Sequence, residues 1–270
     1  VSIIKIILNI LFKKKSLIYF NQELSYHTFL ADFFSNNTKK IINKKIKKLI
    51  IPYEGQPFQN SIFREVHNYK NDIKTFGYIH SFPSGLPTNL IKREGHPKKI
   101  IVCSKSQQYC FAKNLGWDRN EIEYLPSARF LKNNNFDMGN KIFLPIQFFD
   151  IKMILRNLKN FILSTKINLK NIEIRNHPSC SKSNKHLKLI REIKKIISTQ
   201  SSKKYLKKKI SIFIGATGSV IEALEKNIEV YHICENPEIE MYNPQIWKYI
   251  KTKKIEENIF KYTSVKKGLL

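Results

Sequence analysis

The chain is poor in the residues that announce most kinds of chemistry. Its four cysteines, Cys103, Cys110, Cys180 and Cys234, form no Cys-x-x-Cys pair. That spacing signals neither a zinc site nor a disulfide framework, and a reducing cytoplasm is the compartment that fits. No Gly-x-Gly-x-x-Gly occurs and no Gly-Lys-Ser/Thr closes a glycine loop, which removes the main support for NAD-type and kinase-type readings. Nothing resembles a metal-ligand cluster or a nucleophile elbow. Acid is scarce too, with 21 Asp+Glu against 48 Lys+Arg and a net charge of +27. Arginine is scarcer still, at seven of the 48 basic residues. Nucleic-acid readers favour arginine for bidentate contacts. A lysine excess accompanied by abundant Ile and Asn therefore points to compositional bias and an anion-friendly surface rather than to a specific nucleic-acid partner. Peripheral contact with anionic membrane headgroups fits the same surface.

Long apolar runs are also missing. Val1 to Phe12 is apolar apart from Ser2, Lys5 and Asn9, shorter than the roughly 20 residues a spanning helix needs and without a cleavage-site pattern. It reads as a first strand or helix, and Val1 in place of a methionine fits an alternative start or the edge of a fragment. What the chain does have is 42% hydrophobic residues over 270 positions, enough for one large core or two small ones.

Those residues alternate between helical and strand spacing. Ser25 to Lys48 is helical, Lys48 to Tyr53 a buried strand, and a helix runs from the Glu54-Gly55-Gln56-Pro57 turn to about Tyr69. A strand over Thr75 to His80 ends in the loop Ser81 to Pro87. Lys99 to Cys103 is a third strand, Ser104 caps a helix to Leu115, and Ile122 to Leu125 is a short fourth strand. The polar stretch 129–140 reads as a linker. Beyond it come strand Ile142 to Ile146, helix Ile151 to Leu163, strand Asn171 to Asn176 and helix His186 to Ile197. Finally, Ile210 to Ile214, Gly215 to Leu224 and Ile228 to Ile233 spell a βαβ unit whose glycine-and-hydroxyl turn presents amides at a helix start, a place for a phosphate. Pro244 to Tyr262 is expected to be helical. The alternation predicts two α/β domains with parallel sheets and an active site in the cleft between them, at the carboxyl ends of the strands.

Polar residues follow four of the apolar runs: Glu54, His80, His177 and Thr217. Strand ends are where polar side chains meet water, and also where α/β sites are built. Glu54 is the carboxylate so placed in the first half, and Gly55 lets the chain turn tightly behind it. A carboxylate raised by burial is a usual general base, and a salt-bridged turn glutamate is the structural alternative. His80 suits a substrate contact or a loop cap. His177 lies beside Arg175 and before Pro178, which stops strand pairing. Imidazole and guanidinium make a two-donor clamp for phosphate, unless the histidine satisfies its own loop. The hydroxyls of Thr217 and Ser219 and the amides around Gly218 complete the cradle. Glu222 either closes a capping box with Ser219 or accepts ribose hydroxyls.

Strand-Arg175-Asn176-His177-Pro178 and strand-Gly215-Ala216-Thr217-Gly218-Ser219-Val220-Ile221-Glu222-Ala223-Leu224 resemble the nucleotide-binding half of GT-B glycosyltransferases, in particular bacterial capsule and lipopolysaccharide transferases and sialyltransferase-like families. Tyr53-Glu54-Gly55-Gln56-Pro57-Phe58 with Gly77-Tyr78-Ile79-His80 is similar to the "YEGQPWE … GYQH" pattern of surface-carbohydrate biosynthesis proteins. The resemblance implies two Rossmann-like domains with parallel sheets facing a cleft: an abbreviated acceptor-side domain over 1–135 and a nucleotide-sugar-binding domain over 141–270. It implies Glu54 as base, His177, Thr217 and Ser219 on the donor phosphate and Glu222 on the donor ribose; Arg175 and Gly218 join the donor side by their places beside those residues, and His80 and Arg64, which the match does not identify, are expected on the acceptor side. No metal or cofactor is implied, only a nucleotide-sugar donor and a glycan or lipid-linked acceptor, at the cytoplasmic face of the inner membrane. Transfer of a CMP-linked acidic sugar or a polyol phosphate would use the same clamp. Outside the enzyme class stand a truncated non-catalytic homologue and a basic nucleic-acid-binding module. The chain departs from the pattern at Phe58, which replaces tryptophan, and at Gln59, which replaces glutamate and so weakens any role for that position. Only 48 residues precede the strand that ends at Glu54, hence the expectation of a shortened or truncated first domain.

Overall fold

A computed structural model of the protein describes residues 26–42, 46–69, 72–81, 84–125, 137–200 and 209–265. The expected element at Val1 to Phe12 lies outside them, as does most of the expected linker. The described chain is mixed α/β and divides into two compact units. The first takes its residues from Val1–His80, Thr88–Cys103 and Phe111–Leu125, the second from Ser81–Pro87, Ser104–Cys110 and Pro126–Leu270.

In the first unit helix α1 (Tyr26–Ile41) precedes strand β1 (Lys48–Pro52) and helix α2 (Pro57–Tyr69), followed by β2 (Lys74–Tyr78), β3 (Lys99–Val102) and β4 (Ile122–Tyr124); helix α3 (Lys105–Asn114), between β3 and β4 in the chain, is divided, its residues up to Cys110 counting with the second unit and those from Phe111 with the first. The four strands pair in sequence order, all parallel. Ser104 caps α3 as its residue type predicts, accepting the Gln107 amide at 2.9 Å. Amphipathic α2 turns Phe63 and Val66 inward, and Ile42 and Ile73 pack with Val66 into one buried cluster.

The second unit holds β5 (Lys141–Phe143), α4 (Ile151–Thr165), β6 (Glu173–Arg175), α5 (Asn184–Ser198), β7 (Ile210–Ile214), α6 (Ser219–Glu225), β8 (Glu229–Ile233), a helical turn α7 (Pro237–Glu240), β9 (Ile250–Glu256) and β10 (Ile259–Ser264). Asp150 starts α4 by accepting the amides of Lys152 and Met153, and Ser183 caps α5. The sheet order is β6-β5-β7-β8-β10-β9. The first four strands are parallel, and β7, covered on both faces, is buried at every position. That is why it reads as an unbroken apolar run. Leu158, Phe161, Leu189, Ile193, Ile212 and Ile214 form the centre of this core.

Two expectations fail here. The segment Pro244 to Tyr262 is not a helix: β9 and β10 form an antiparallel hairpin, and β10 pairs antiparallel with β8, so the second sheet is mixed rather than parallel. The reason lies in period-two spacing. Phe260 and Tyr262 alternate with Lys261, and Ile250, Thr252 and Ile255 are β-branched, which suits a pleated surface better than a helix. The outermost strand, β9, exposes Lys251, Lys253 and Lys254. Among the described residues no helix is long and apolar enough to cross a membrane.

The two faces of α4 differ in weight. Leu158→Ala, in the buried core, is expected to cost about 2–5 kcal/mol of unfolding free energy, while Leu163→Ala, 72% exposed, changes it by less than about 0.5 kcal/mol, both read from urea unfolding curves.

Candidate functional site

Glu54 and His80 are brought together by strand register alone. Parallel pairing of β1 with β2 sets Lys48 opposite Lys74 and Pro52 opposite Tyr78, and the same offset continued two residues further sets Glu54 opposite His80. Their side chains meet with Nε2 3.4 Å from Oε1, and each is nearly half exposed. The burial expected for Glu54 is absent, and the carboxylate faces solvent.

The turn that carries Glu54 is rigid for traceable reasons. Gly55 has φ +70°, and a Cβ there would sit 1.9 Å from the Asn89 carbonyl oxygen, so no other residue fits. Asn89 Nδ2 donates to the Glu54 carbonyl, and Arg93 donates to the Gly55 carbonyl at 2.9 Å. Buried Gln59 completes the turn. Its Oε1 accepts the amides of Glu54 at 2.9 Å and Gln56 at 3.0 Å, while its Nε2 donates to the Pro52 carbonyl at 2.8 Å. An ionised glutamate has no proton for that last bond. The residue discounted as a departure from the family pattern is thus the organiser of the turn. Beneath it, buried Tyr53 donates to Asn60 at 2.8 Å, and burial pushes its pKa up to about 12 despite Arg93. Tyr53 fits because β2 offers Gly77: a Cβ there would lie 2.8 Å from Tyr53 Cβ and Cγ. The two halves of the front motif are therefore one packed object. Arg64 stands exposed on α2. His67 bonds Thr75 Oγ1 at 2.9 Å, and burial, then Lys98 and His96, hold its pKa down.

In the second unit, β7 leads into Gly215 with φ +66°. A Cβ there would lie 3.1 Å from Pro145. The Gly215 carbonyl accepts Nε2–H of His232 at 2.8 Å. The Tyr242 hydroxyl donates to the Thr217 carbonyl at 2.9 Å. Both anchors are fully buried, and burial lowers the His232 pKa to about 4 and raises that of Tyr242. His232 is consequently neutral near pH 7. The Ser219 amide donates to Thr217 Oγ1 at 3.3 Å, and Gly218 occupies the cap position of α6 with no side-chain cap bond. The capping box between Ser219 and Glu222 is therefore not formed. Ser219 is already the first helical residue, and Glu222 instead pairs with Lys226 at 3.4 Å.

The expected Arg175–His177 clamp is half present. Arg175 is paired with Glu173 at 3.1 Å, because alternate residues of β6 share a face. His177 Nδ1 accepts the Ser179 amide at 3.2 Å, which leaves the proton of the neutral ring on Nε2 as a donor. The neighbouring Asn176 Oδ1 is buried without a hydrogen-bond partner. Strand β5 lies between β6 and β7, so the His177 and Thr217 loops stand two strand spacings, about 10 Å, apart. A single ligand reaches both only if it lies over the end of β5, at Leu144 and Pro145. Glu235 also follows a strand, but its carboxylate accepts the Phe149 and Asp150 amides at 2.7–3.1 Å and is a structural tie. A concavity of about 1140 Å³ lies elsewhere, at the amino-terminal edge of this sheet, lined by residues that include Ile210, Glu229 and Thr263. Sequence spacing gave no hint of these roles for Gln59, His232 or Tyr242; of the three, only His232, between Tyr231 and Ile233, shows the pattern of a buried tie, a polar residue amid apolar neighbours.

No protein-family model matches the chain, and no curated protein matches it. Among solved structures, a glycosyltransferase from Rickettsia africae ESF-5 is similar over 79% of this chain and 68% of that one, at 12% identity and a TM-score of 0.37.

Replacing Gln59 by Glu removes the donor to the Pro52 carbonyl and buries a charge in the turn. The expected loss is about 1–3 kcal/mol of stability, measurable by chemical denaturation at neutral pH.

Proposed function

We propose that the protein is a glycosyltransferase that moves a sugar from a nucleotide-sugar donor to a surface-glycan acceptor, with Glu54 as general base. The observation that carries this reading is the Glu54–His80 pair. It is a solvent-facing carboxylate 3.4 Å from an imidazole, on a turn whose backbone is held by Gln59, Asn89 and Arg93. A half-exposed carboxylate on a turn held by hydrogen bonds is what proton abstraction from a sugar hydroxyl requires. The likeness of both front motifs to surface-carbohydrate proteins supports the same assignment.

In this scheme the acceptor hydroxyl gives its proton to Glu54 as its oxygen bonds the anomeric carbon. The bond from that carbon to the donor phosphate breaks, and the electron pair leaves with the phosphate. His80 orients the carboxylate. The charge gathering on the phosphate is met by the amides and hydroxyls of Thr217 to Ser219 and by His177 Nε2–H. Those groups share one phosphate when it rests over the end of β5. Glu222 and Arg175, each in an ion pair, enter only if donor binding exchanges their partners. No step is assigned to a metal ion. The lysine-rich surface would hold the enzyme near anionic headgroups, where lipid-linked acceptors reside.

Glu54→Gln is expected to lower transfer about 10²–10⁴-fold, with donor affinity changed less than about threefold. Transfer at the wild-type rate sinks the assignment. A donor screen by calorimetry identifies the nucleotide: CMP donors alone indicate the sialyltransferase-like branch, and UDP or GDP donors exclude it.

A further inference from the structure

Behind the Gly215 turn lies a cluster that the proposed transfer does not use. His232 and Cys234 are two residues apart at the end of β8 and so share one face of the strand. Glu240 ends α7, and all three side chains are buried. One nitrogen of His232, one Sγ and one carboxylate oxygen lie within 4.8 Å of one another. We propose that His232, Cys234 and Glu240 form a buried site for a divalent cation of the zinc class.

Three features support it. First, the histidine is already in the ligand tautomer: Nε2–H donates to the Gly215 carbonyl at 2.8 Å, which leaves the Nδ1 lone pair toward the cluster. Metal-bound histidines are held by this kind of outer bond. Second, Nδ1 and Cys234 Sγ are 3.5 Å apart. Zinc–sulfur and zinc–nitrogen bonds of about 2.3 and 2.0 Å at a tetrahedral angle require a separation of about 3.5 Å. Third, Glu240 is pinned by its backbone neighbours. Its Oε2 accepts the Glu235 amide at 2.9 Å, and the Asn236 amide also reaches its carboxylate. The carboxylate oxygen, within 4.8 Å of the other two ligand atoms, has at most about 1.5 Å to close to reach a tetrahedral edge. The Tyr262 hydroxyl, 3.2 Å from Nδ1, stands beside the fourth position.

Without metal the cluster holds its protons. Burial raises Cys234 and Glu240 and lowers His232, so all three favour their neutral forms. On binding, the cation takes the thiolate, and the thiol proton passes to solvent, as does any carried by Glu240. Tyr262 gives up its bond to Nδ1. Thiolate, imidazole and carboxylate together suit zinc better than magnesium or calcium. Spacing alone hid this site, because its ligands are one His-x-Cys and a glutamate six residues beyond the cysteine.

The test uses the full chain, stripped with chelator and titrated with Co²⁺ alone. One equivalent with thiolate-to-cobalt charge-transfer absorption is expected, displaced by Zn²⁺ and lost in Cys234→Ser. If that variant does not fold, Glu240→Gln decides, since its amide oxygen keeps the bonds from Glu235 and Asn236. At least tenfold weaker binding supports the site. Absent charge-transfer absorption in the wild type overturns it, as does unchanged affinity in either folded variant. The result is independent of the transferase reading, which stands or falls on Glu54.

Discussion

The first unit depends on one close approach, that of Tyr53 to the bare backbone at Gly77. Aromatic bulk in one strand and a missing side chain in its neighbour let β1 and β2 lie in register with Tyr53 fully buried. Register then does the rest. The same offset that pairs Pro52 with Tyr78 sets Glu54 opposite His80, so an acid–imidazole pair arises without any long-range folding of loops. Parallel strands of matched length are the usual foundation of α/β sites; here the link can be followed residue by residue.

The second unit solves a different problem. Buried strand ends leave carbonyls that water cannot reach, and each must find a donor. Two histidines supply them: His232 for Gly215 at 2.8 Å and His186 for Pro145 at 2.9 Å. Both carbonyls belong to residues that nearly touch, since a Cβ on Gly215 would crowd Pro145. The floor of the candidate phosphate turn is therefore held from beneath on both sides. A turn fixed in this way is preorganised, with little rearrangement left for ligand binding.

Elements of strong periodicity were legible in the sequence. Helices α2, α4 and α5 and the βαβ unit through Gly215 stand where apolar spacing and caps predict them, α1 begins as expected but ends at Ile41 instead of Lys48, and Glu54 and His80 were both readable from their places after strands. What was not legible has physical causes. A lysine-rich hairpin at β9 and β10 hides its period of two among polar residues, because an edge strand buries only part of one face. Gln59 looked like a lost glutamate, since its value lies in donating and accepting at once, which only the folded turn reveals. Glu222 and Arg175 were singled out for ligands, yet each found a nearer opposite charge, Lys226 and Glu173. A basic chain offers such partners within a turn or on the same strand face.

The hairpin also recasts the lysine excess. Among the described residues, strand β9 ends the second sheet and no strand pairs with its outer side. An open edge of this kind invites a strand from another copy. Lys251, Lys253 and Lys254 lie along it, and two such edges brought together would confront like charges at each step. Charge repulsion along such an edge opposes the extension of one copy's sheet by another's, a consequence of the lysine excess that involves no polyanion.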